Sequence, residues 1–444
     1  MGSPAVDRTE IGEASTLIPR SGPHGGAYVS GQSSPIVESV DQVRSSSLTS
    51  RISRTSDRYA SMVIRRESTV SYGDEAYRVP LSLKYMLVFA LIGAVARIRS
   101  WGPFPVFWFN ALGLVPLGVL QNHFTKSLTN AKATGLFLFH TILRNAVEFA
   151  IAISSLYMAK YSVLKAFLLG SIVCNQLVVP GVHYVMLSFE GIEVEPDTEQ
   201  LMSESSMLML LICTSFVVPT AVSFSMFDQN RVLWLSRICA CLLLGLYECI
   251  LISEIPRLIN RDEEQQVDSV NDFFEDEEIF YDAEIGARPA PNEMRPSVAA
   301  ILLILTMTAM CFSCSSLVSS IDGAAMALRL PVDLLAFAAL PFLGNTTEFV
   351  NVGISDAETR NSIENAVGSA ILVGLLIYPS MVVVAWVFDR PFTFSVSLTE
   401  AVSVFMTCAI SNYVYGKEST IWIKGTGLIT AFLVFCVGVA FQHI

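Results

Sequence analysis

Arg144-Asn145-Ala146-Val147-Glu148-Phe149 and Gly344-Asn345-Thr346-Thr347-Glu348-Phe349 are two versions of one hexapeptide, each set in an apolar run of the chain. Each copy is followed by a second small-residue stretch, Gly170-Ser171-Ile172 in one case and Gly368-Ser369-Ala370 in the other. The order of motifs therefore repeats, and the repeat decides the fold. The surroundings of both copies are long apolar runs, of the roughly 17 to 25 residues needed to cross a hydrocarbon core of ~30 Å. About eleven such runs can be counted: 83–99, 104–121, 134–157, 163–187, 206–227, 232–254, 297–319, 330–354, 365–388, 394–415 and 420–441. The first copy falls in the third run and the second in the eighth. An odd number of crossings between them turns one copy over in the membrane, which is the layout of an inverted repeat with its site at the midplane.

Composition agrees with a membrane protein. Of the 444 residues 52% are hydrophobic and only 15% charged, and the mean hydropathy is +0.53, too apolar for an ordinary soluble domain. The expected fold is all-α and polytopic, with about 11 transmembrane helices arranged as two inverted five-helix repeats plus an extra N-terminal helix. In domain terms the chain divides into a Ser/Arg-rich tail (1–80), an extra helix (83–99), a first repeat (104–254), an acidic linker (258–296) and a second repeat (297–441). All nine cysteines fall in apolar runs, which argues against a disulfide framework or a zinc site. No removable signal peptide is visible in the first thirty residues, so the first span is expected to direct insertion.

The tail has few large apolar residues and is expected to be disordered. Between Arg44 and Arg66 it carries six arginines against the single acid Asp57, a basic strip suited to anionic lipid. Ser68, after Arg65-Arg66-Glu67, has the setting of a target for a basic-directed kinase, whose phosphate would cancel part of that attraction. A plain solvated linker explains the tail equally well. Basic residues are almost evenly divided between the two sides, and the tail tips the expectation toward a cytosolic N-terminus. The net charge of −12 says little about the whole, because eleven acids lie between Asp262 and Glu284 with no basic residue among them. That segment reads as a solvated linker or as a low-affinity collector of cations; its spacing matches no EF-hand. No nucleic-acid partner is expected, and the absence of His-Glu-x-x-His, Gly-x-Ser-x-Gly and P-loop patterns points away from an enzyme.

Asn and Glu three apart share a helical face, so Asn145 with Glu148, and Asn345 with Glu348, can each direct oxygens at one point. A carboxylate at the centre of a span costs about 2.5–3.5 kcal/mol to insert on translocon scales, and two such carboxylates at repeat-related positions imply function. Six to eight oxygens with two balancing carboxylates suit Ca²⁺. Burial favours a protonated carboxyl and a bound cation favours the ionised one, so protons and cation exclude each other. The small residues Gly170, Ser171, Gly344, Gly368 and Ser369 permit close helix approach.

At these residues the chain resembles the cation/proton exchanger family, in particular its calcium/proton exchanger branch of vacuolar membranes. The likeness covers roughly residues 83 to 442. The family's Gly-Asn-Ala-x-Glu motifs are matched by 144–148 and 344–348, and its Gly-Ser-Ile-x-Ser-Asn motif is similar to Gly170-Ser171-Ile172-Val173-Cys174-Asn175. Weaker echoes are Phe109-Asn110-Ala111-Leu112-Gly113-Leu114-Val115-Pro116-Leu117, Leu340-Pro341 and Tyr415-Gly416-Lys417. The resemblance implies Ca²⁺/H⁺ exchange by alternating access at a vacuolar or other endomembrane. It implies Glu148 and Glu348 as the ion and proton carriers, Asn145, Asn175 and Asn345 as co-ligands, and Ser171 and Ser369 close by. No cofactor is implied beyond the transported Ca²⁺ and H⁺, and a homo-oligomer is left open.

Three departures stand out. Arg144 replaces the family's Gly one helical turn before Glu148, and is expected either to snorkel away or to pair with Glu148. Lys126 sits where the family has an acid on the access path, while its counterpart Asp322 keeps the acid. Leu372 replaces a Gln. His140 shares a stripe with Arg144 and Glu148 and reads as a satisfied span-end histidine or, less simply, as a proton relay. The departures keep two alternatives in play: an exchanger of the same fold for a monovalent cation or Mn²⁺, and a transport-inactive regulatory or scaffold relative.

Overall fold

The computed structural model describes residues 81–129, 142–190, 196–225, 228–275, 296–345, 348–349, 356–415 and 420–442. Among these the protein is all-α. The helices are α1 (Leu81–Ile98), α2 (Pro103–Thr129), α3 (Ala146–Tyr157), α4 (Tyr161–Val173), α5 (Val179–Glu190), α6 (Pro196–Ser225), α7 (Gln229–Glu275) and α8 (Pro296–Leu328). They continue as α9 (Val332–Leu334), α10 (Leu340–Gly344), α11 (Asp356–Leu372), α12 (Tyr378–Val387), α13 (Leu398–Tyr415) and α14 (Ile421–Phe441). One order occurs twice: a long helix (α2, α8), a broken motif helix (α3; α9 and α10), an interior helix with a widened turn (α4 and α5; α11 and α12), then two further helices (α6 and α7; α13 and α14). The helix α1 stands outside that order.

Seven helices among the described residues are long and apolar enough to cross a membrane. Shorter apolar helices, Met86–Ile98, Ala146–Tyr157, Val332–Gly344 and Leu398–Val414, fall in the remaining runs of the sequence. Length alone thus supports seven spans among the described residues where eleven are expected; of the four shorter runs, 134–157 and 330–354 extend into residues outside the description. The acidic linker differs from the loop expected of it. Helix α7 continues through Asn260 to Glu275, since 257–275 contains neither Gly nor Pro and is rich in Glu, Gln and Arg, which tolerate the helix well.

Two helices form the interior. In Tyr161–Phe189 89% of the apolar window is buried inside the protein, and in Ser362–Val387 67%, against 22–56% for the other long helices. Both are interrupted by a π-helical turn, Cys174–Val178 in one and Val373–Ile377 in the other, a feature that frees backbone groups and concentrates at functional sites. A third, Leu335–Ala339, precedes the second motif.

Small residues set the closest approaches. A Cβ on Gly113 of α2 would lie 2.6 Å from Ala90 Cα of α1, and Asn110 Nδ2 donates to the Gly93 carbonyl across the same contact at 3.3 Å. Opposite it, α2 packs along α8, where a Cβ on Gly323 would meet Pro103 at 2.4 Å. The α12–α13 connection is tied down by polar caps and aromatic packing. Val396 N–H donates to Thr220 Oγ1 and Phe394 N–H to Ser236 Oγ, each at 3.1 Å, while Phe216, Tyr378 and Phe394 stack together.

Helix α13 begins with a capping box. Glu400 N–H donates to Ser397 Oγ at 3.2 Å, and Ser397 N–H donates to Glu400 Oε2 at 3.0 Å, so each side chain satisfies a backbone donor that has no intrahelical partner. Glu400, buried though it is, is thus accounted for by the helix end. Ser397→Ala is expected to lower the stability of purified protein by about 1 kcal/mol, read as an earlier denaturation midpoint. An unchanged midpoint would show that the box contributes nothing.

Candidate functional site

Both motif helices break at their asparagine. Asn145 has φ −101° and ψ 28°, and Asn345 has φ −93° and ψ 16°, the sparsely populated bridge region in both cases. A break leaves the carbonyls of the turn before it without helical donors. Gln121 Nε2 from α2 donates to one of them, Leu143 C=O, whereas in the second copy Pro341 C=O keeps its helical donor, Asn345 N–H at 3.0 Å, and accepts from Asn345 Nδ2 as well, also at 3.0 Å. Beyond each break the chain resumes as helix. Asn145 C=O accepts from Phe149 N–H at 3.1 Å, and Asn345 C=O accepts from Glu348 N–H at 3.1 Å and Phe349 N–H at 3.3 Å. Glu148 stands in the first turn of α3, where the exposed N–H ends of a helix favour an anion or another electron-rich group.

The two copies meet. A Cβ added to Gly344 would lie 2.6 Å from Glu148 Oε1, so the carboxylate of the first motif rests against the backbone of the second. Behind this contact Gly170 on α4 lies against the π turn before α10, with a built Cβ only 2.1 Å from Phe337 O. Cys174, on the same interior helix, is within hydrogen-bonding reach of Asn345. The candidate polar cluster is the set Asn145, Glu148, Ser171, Asn175, Asn345, Glu348 and Ser369, every member of which is buried and no more than 6% exposed.

Several polar atoms of the cluster have no hydrogen-bond partner among the described residues. They are Glu148 Oε2, Ser171 Oγ and both Asn175 Oδ1 and Nδ2. A buried polar atom left so costs about 1–3 kcal/mol. Natural proteins accept such groups mainly where a ligand or water completes them. The oxygens among them, with the two carboxylates, make a hard-cation donor set.

The other sequence-derived candidates are placed differently. Arg144 neither snorkels away nor hydrogen-bonds Glu148 among the described residues. Its Nη1 donates to Asn365 Oδ1 at 2.5 Å, and its Nη2 donates to Asn365 C=O at 3.1 Å and to Ser369 Oγ at 3.4 Å. It thus reaches into the other repeat. Asp322 accepts from Lys160 Nζ at 2.7 Å. Lys160 lies past the far end of α3, about 18 Å along the helix from Glu148 at 1.5 Å per residue. Asp322 is therefore one half of a partly exposed ion pair and does not join the cluster. Lys126 is on α2, but its side chain, like His140 and Ser68, lies outside the described residues. Asn365 and Gln121 were not anticipated. Asn365 stands one helical turn before Ser369, and that spacing was the available signal; Gln121 is a lone buried amide in an apolar run and carries no pattern.

Comparison with known proteins adds relatives. Residues 298–441 match the family described as sodium/calcium exchanger protein. The chain is 25% identical over 361 residues to a vacuolar calcium ion transporter of Schizosaccharomyces pombe, covering 79% of this chain and 82% of that one. It is 27% identical over 374 residues to vacuolar cation/proton exchanger 1b of Oryza sativa subsp. japonica, covering 81% and 80%. Among solved structures it is similar to native YfkE, with a TM-score of 0.62 at 16% identity over 81% of this chain and 99% of that one. It is also similar to the H⁺/Ca²⁺ exchanger CAX, with a TM-score of 0.56 at 13% identity over 81% and 87%. At these identities the structural likeness speaks to the fold.

Proposed function

We propose, from its likeness to the sodium/calcium exchanger protein family over residues 298–441 and to vacuolar transporters over most of its length, that the chain is a secondary active transporter exchanging Ca²⁺ for H⁺ across a vacuolar membrane by alternating access. One observation carries the reading: the carboxylate of the first motif packs on the backbone of the second, Glu148 Oε1 against Gly344, and the carboxylates of both motifs are buried. The vacuolar calcium transporter and cation/proton exchanger relatives support both the load and the location.

The mechanism follows from the energetics of buried charge. A bare carboxylate away from water is costly, so Glu148 and Glu348 are each matched either by a proton or by a share of the cation. Asn145, Asn175, Asn345, Ser171 and Ser369 supply neutral oxygens around the cation. On the side with higher proton activity protons displace the cation, and on the other the cation displaces protons. Only a matched site reorients, because carrying uncompensated charge through the occluded state is too expensive. The two fluxes are coupled for that reason. Ca²⁺ and H⁺ are the load, and the reading calls for no cofactor.

Vesicles containing the purified chain, with an imposed pH gradient, test this. Native protein is expected to take up Ca²⁺, and Glu148→Gln and Glu348→Gln are each expected to reduce uptake by about 100-fold or more, the scale of breaking a buried charged arrangement. Uptake that survives both substitutions would sink the two-carboxylate mechanism. Absence of pH-driven uptake of any cation would favour a scaffold relative. A second reading, exchange of a monovalent cation, is favoured by the guanidinium of Arg144, which hydrogen-bonds Asn365 and Ser369.

A further inference from the structure

The two motifs differ most at their first residue. In the second copy it is Gly344, whose bare Cα allows Glu148 to pack against it. In the first copy it is Arg144, whose guanidinium is always charged. An equivalent seat for Glu348 on residue 144 is closed, because a side chain occupies it. The guanidinium does not leave the region. It crosses to α11 and uses Asn365 Oδ1, Asn365 C=O and Ser369 Oγ as acceptors. Asn365 and Ser369 are four apart and share a helix face. Glu364 is buried too, but one residue earlier it lies about 100° round the helix from Asn365.

We infer that Arg144 is a specificity-determining residue of the transport site, a tethered cation that weakens binding of a divalent ion relative to a monovalent one. The inference rests on the exchange reading above and refines its load. Two physical effects act in the same direction. A fixed positive charge repels a divalent ion with twice the energy it exerts on a monovalent ion at the same place. Its hydrogen bonds also engage the Ser369 hydroxyl and the Asn365 amide and carbonyl oxygens, and a Ca²⁺ shell of 6–8 oxygens suffers most from their loss. Counting Glu148 and Glu348 as ionised, Arg144 leaves a net of one negative charge, which one monovalent ion or one proton neutralises and Ca²⁺ overshoots.

The test compares native protein with Arg144→Gln and Arg144→Lys in two assays. In vesicles with an imposed pH gradient, the concentrations of Ca²⁺ and of Na⁺ that half-saturate uptake are measured. In detergent, the concentrations of each ion that half-saturate a thermal stabilisation of the purified chain give the same ratio without transport. Arg144→Gln is expected to shift the ratio toward Ca²⁺ by on the order of tenfold, whereas Arg144→Lys, which keeps the charge, is expected to hold near the native ratio. A purely structural tether would change stability and maximal uptake in both variants and leave the ratio alone. If Arg144→Gln does not reach a folded state, Arg144→Met keeps the packed stem and is neutral. An unmoved ratio in the neutral variant overturns the inference, and so does an equal shift in Arg144→Lys. Ion binding without pH-driven uptake would instead sink the exchange reading while still deciding what Arg144 does. Binding of neither ion by native and neutral variants would overturn both.

Discussion

Gly170→Ala is expected to leave little folded protein in the membrane. The added Cβ would stand 2.1 Å from the carbonyl oxygen of Phe337 and 2.8 Å from its Cα and carbonyl carbon. Those atoms are backbone within a π turn and cannot rotate aside, and Gly170 and Phe337 are themselves both fully buried at the centre of the cluster of apolar side chains. Overpacking a core by a methyl group costs about 1–3 kcal/mol when side chains can shift, and here α4 would have to move away from the segment that leads into α10. The expected result is a destabilisation beyond the upper end of that range, seen as loss of the monodisperse species on detergent extraction. Native-like yield and melting of the alanine variant would mean that the two segments approach less closely than 2.1 Å implies.

Gly344→Ala makes the contrasting case. Its Cβ would also be too close, 2.6 Å from Glu148 Oε1 and 3.0 Å from Glu148 Cδ, but the neighbour is the end of a flexible side chain. The carboxylate can turn away at small cost to the fold. What it loses is its place against the second motif, and displacement of a binding group by about 1 Å can reduce a rate 100-fold. Near-native stability with exchange reduced at least tenfold is therefore expected, read by thermal melting and vesicle uptake side by side. Loss of both together would show that Gly344 matters for packing alone, and retention of both would remove the Glu148–Gly344 contact from the mechanism. The pair of substitutions separates a glycine that holds the helices together from one that seats the ligand.

Several features were legible along the chain. Polar residues are tolerated inside apolar runs only where they are satisfied or used, so Asn145, Glu148, Asn345 and Glu348 were conspicuous, and their recurrence implied two related halves. All four are buried. Helical content and the division into apolar segments could be read as well, since composition and run length depend only on local sequence. Less accessible was the end of α7, where strong local helix formers extend the helix to Glu275 past the point at which the apolar pattern stops.

Long-range partnerships were not legible. Nothing near Arg144 reveals that its acceptors lie 221 and 225 residues away, on Asn365 and Ser369; local spacing pointed to Glu148, four residues on, and to an outward-bent stem. Asp322 looked like an access-path acid by its position, yet Lys160, 162 residues distant, holds it in an ion pair. A side chain's partner is chosen among all groups that the folded backbone brings within its reach, and that set is a property of the packing.

The class of protein and the chemistry of its central residues can be read from the chain residue by residue. Hydrophobic run length and the cost of burying a carboxylate are properties of residue type and near neighbours. Which of those residues touch is set by the folded arrangement: Glu148 rests on Gly344, Gly170 and the Phe337 carbonyl fix the spacing of their segments, and Arg144 directs its charge to the opposite repeat. The reason is geometric. Contacts a few ångströms long between segments two hundred residues apart are fixed by how helices pack, and the packing is an outcome of the whole chain.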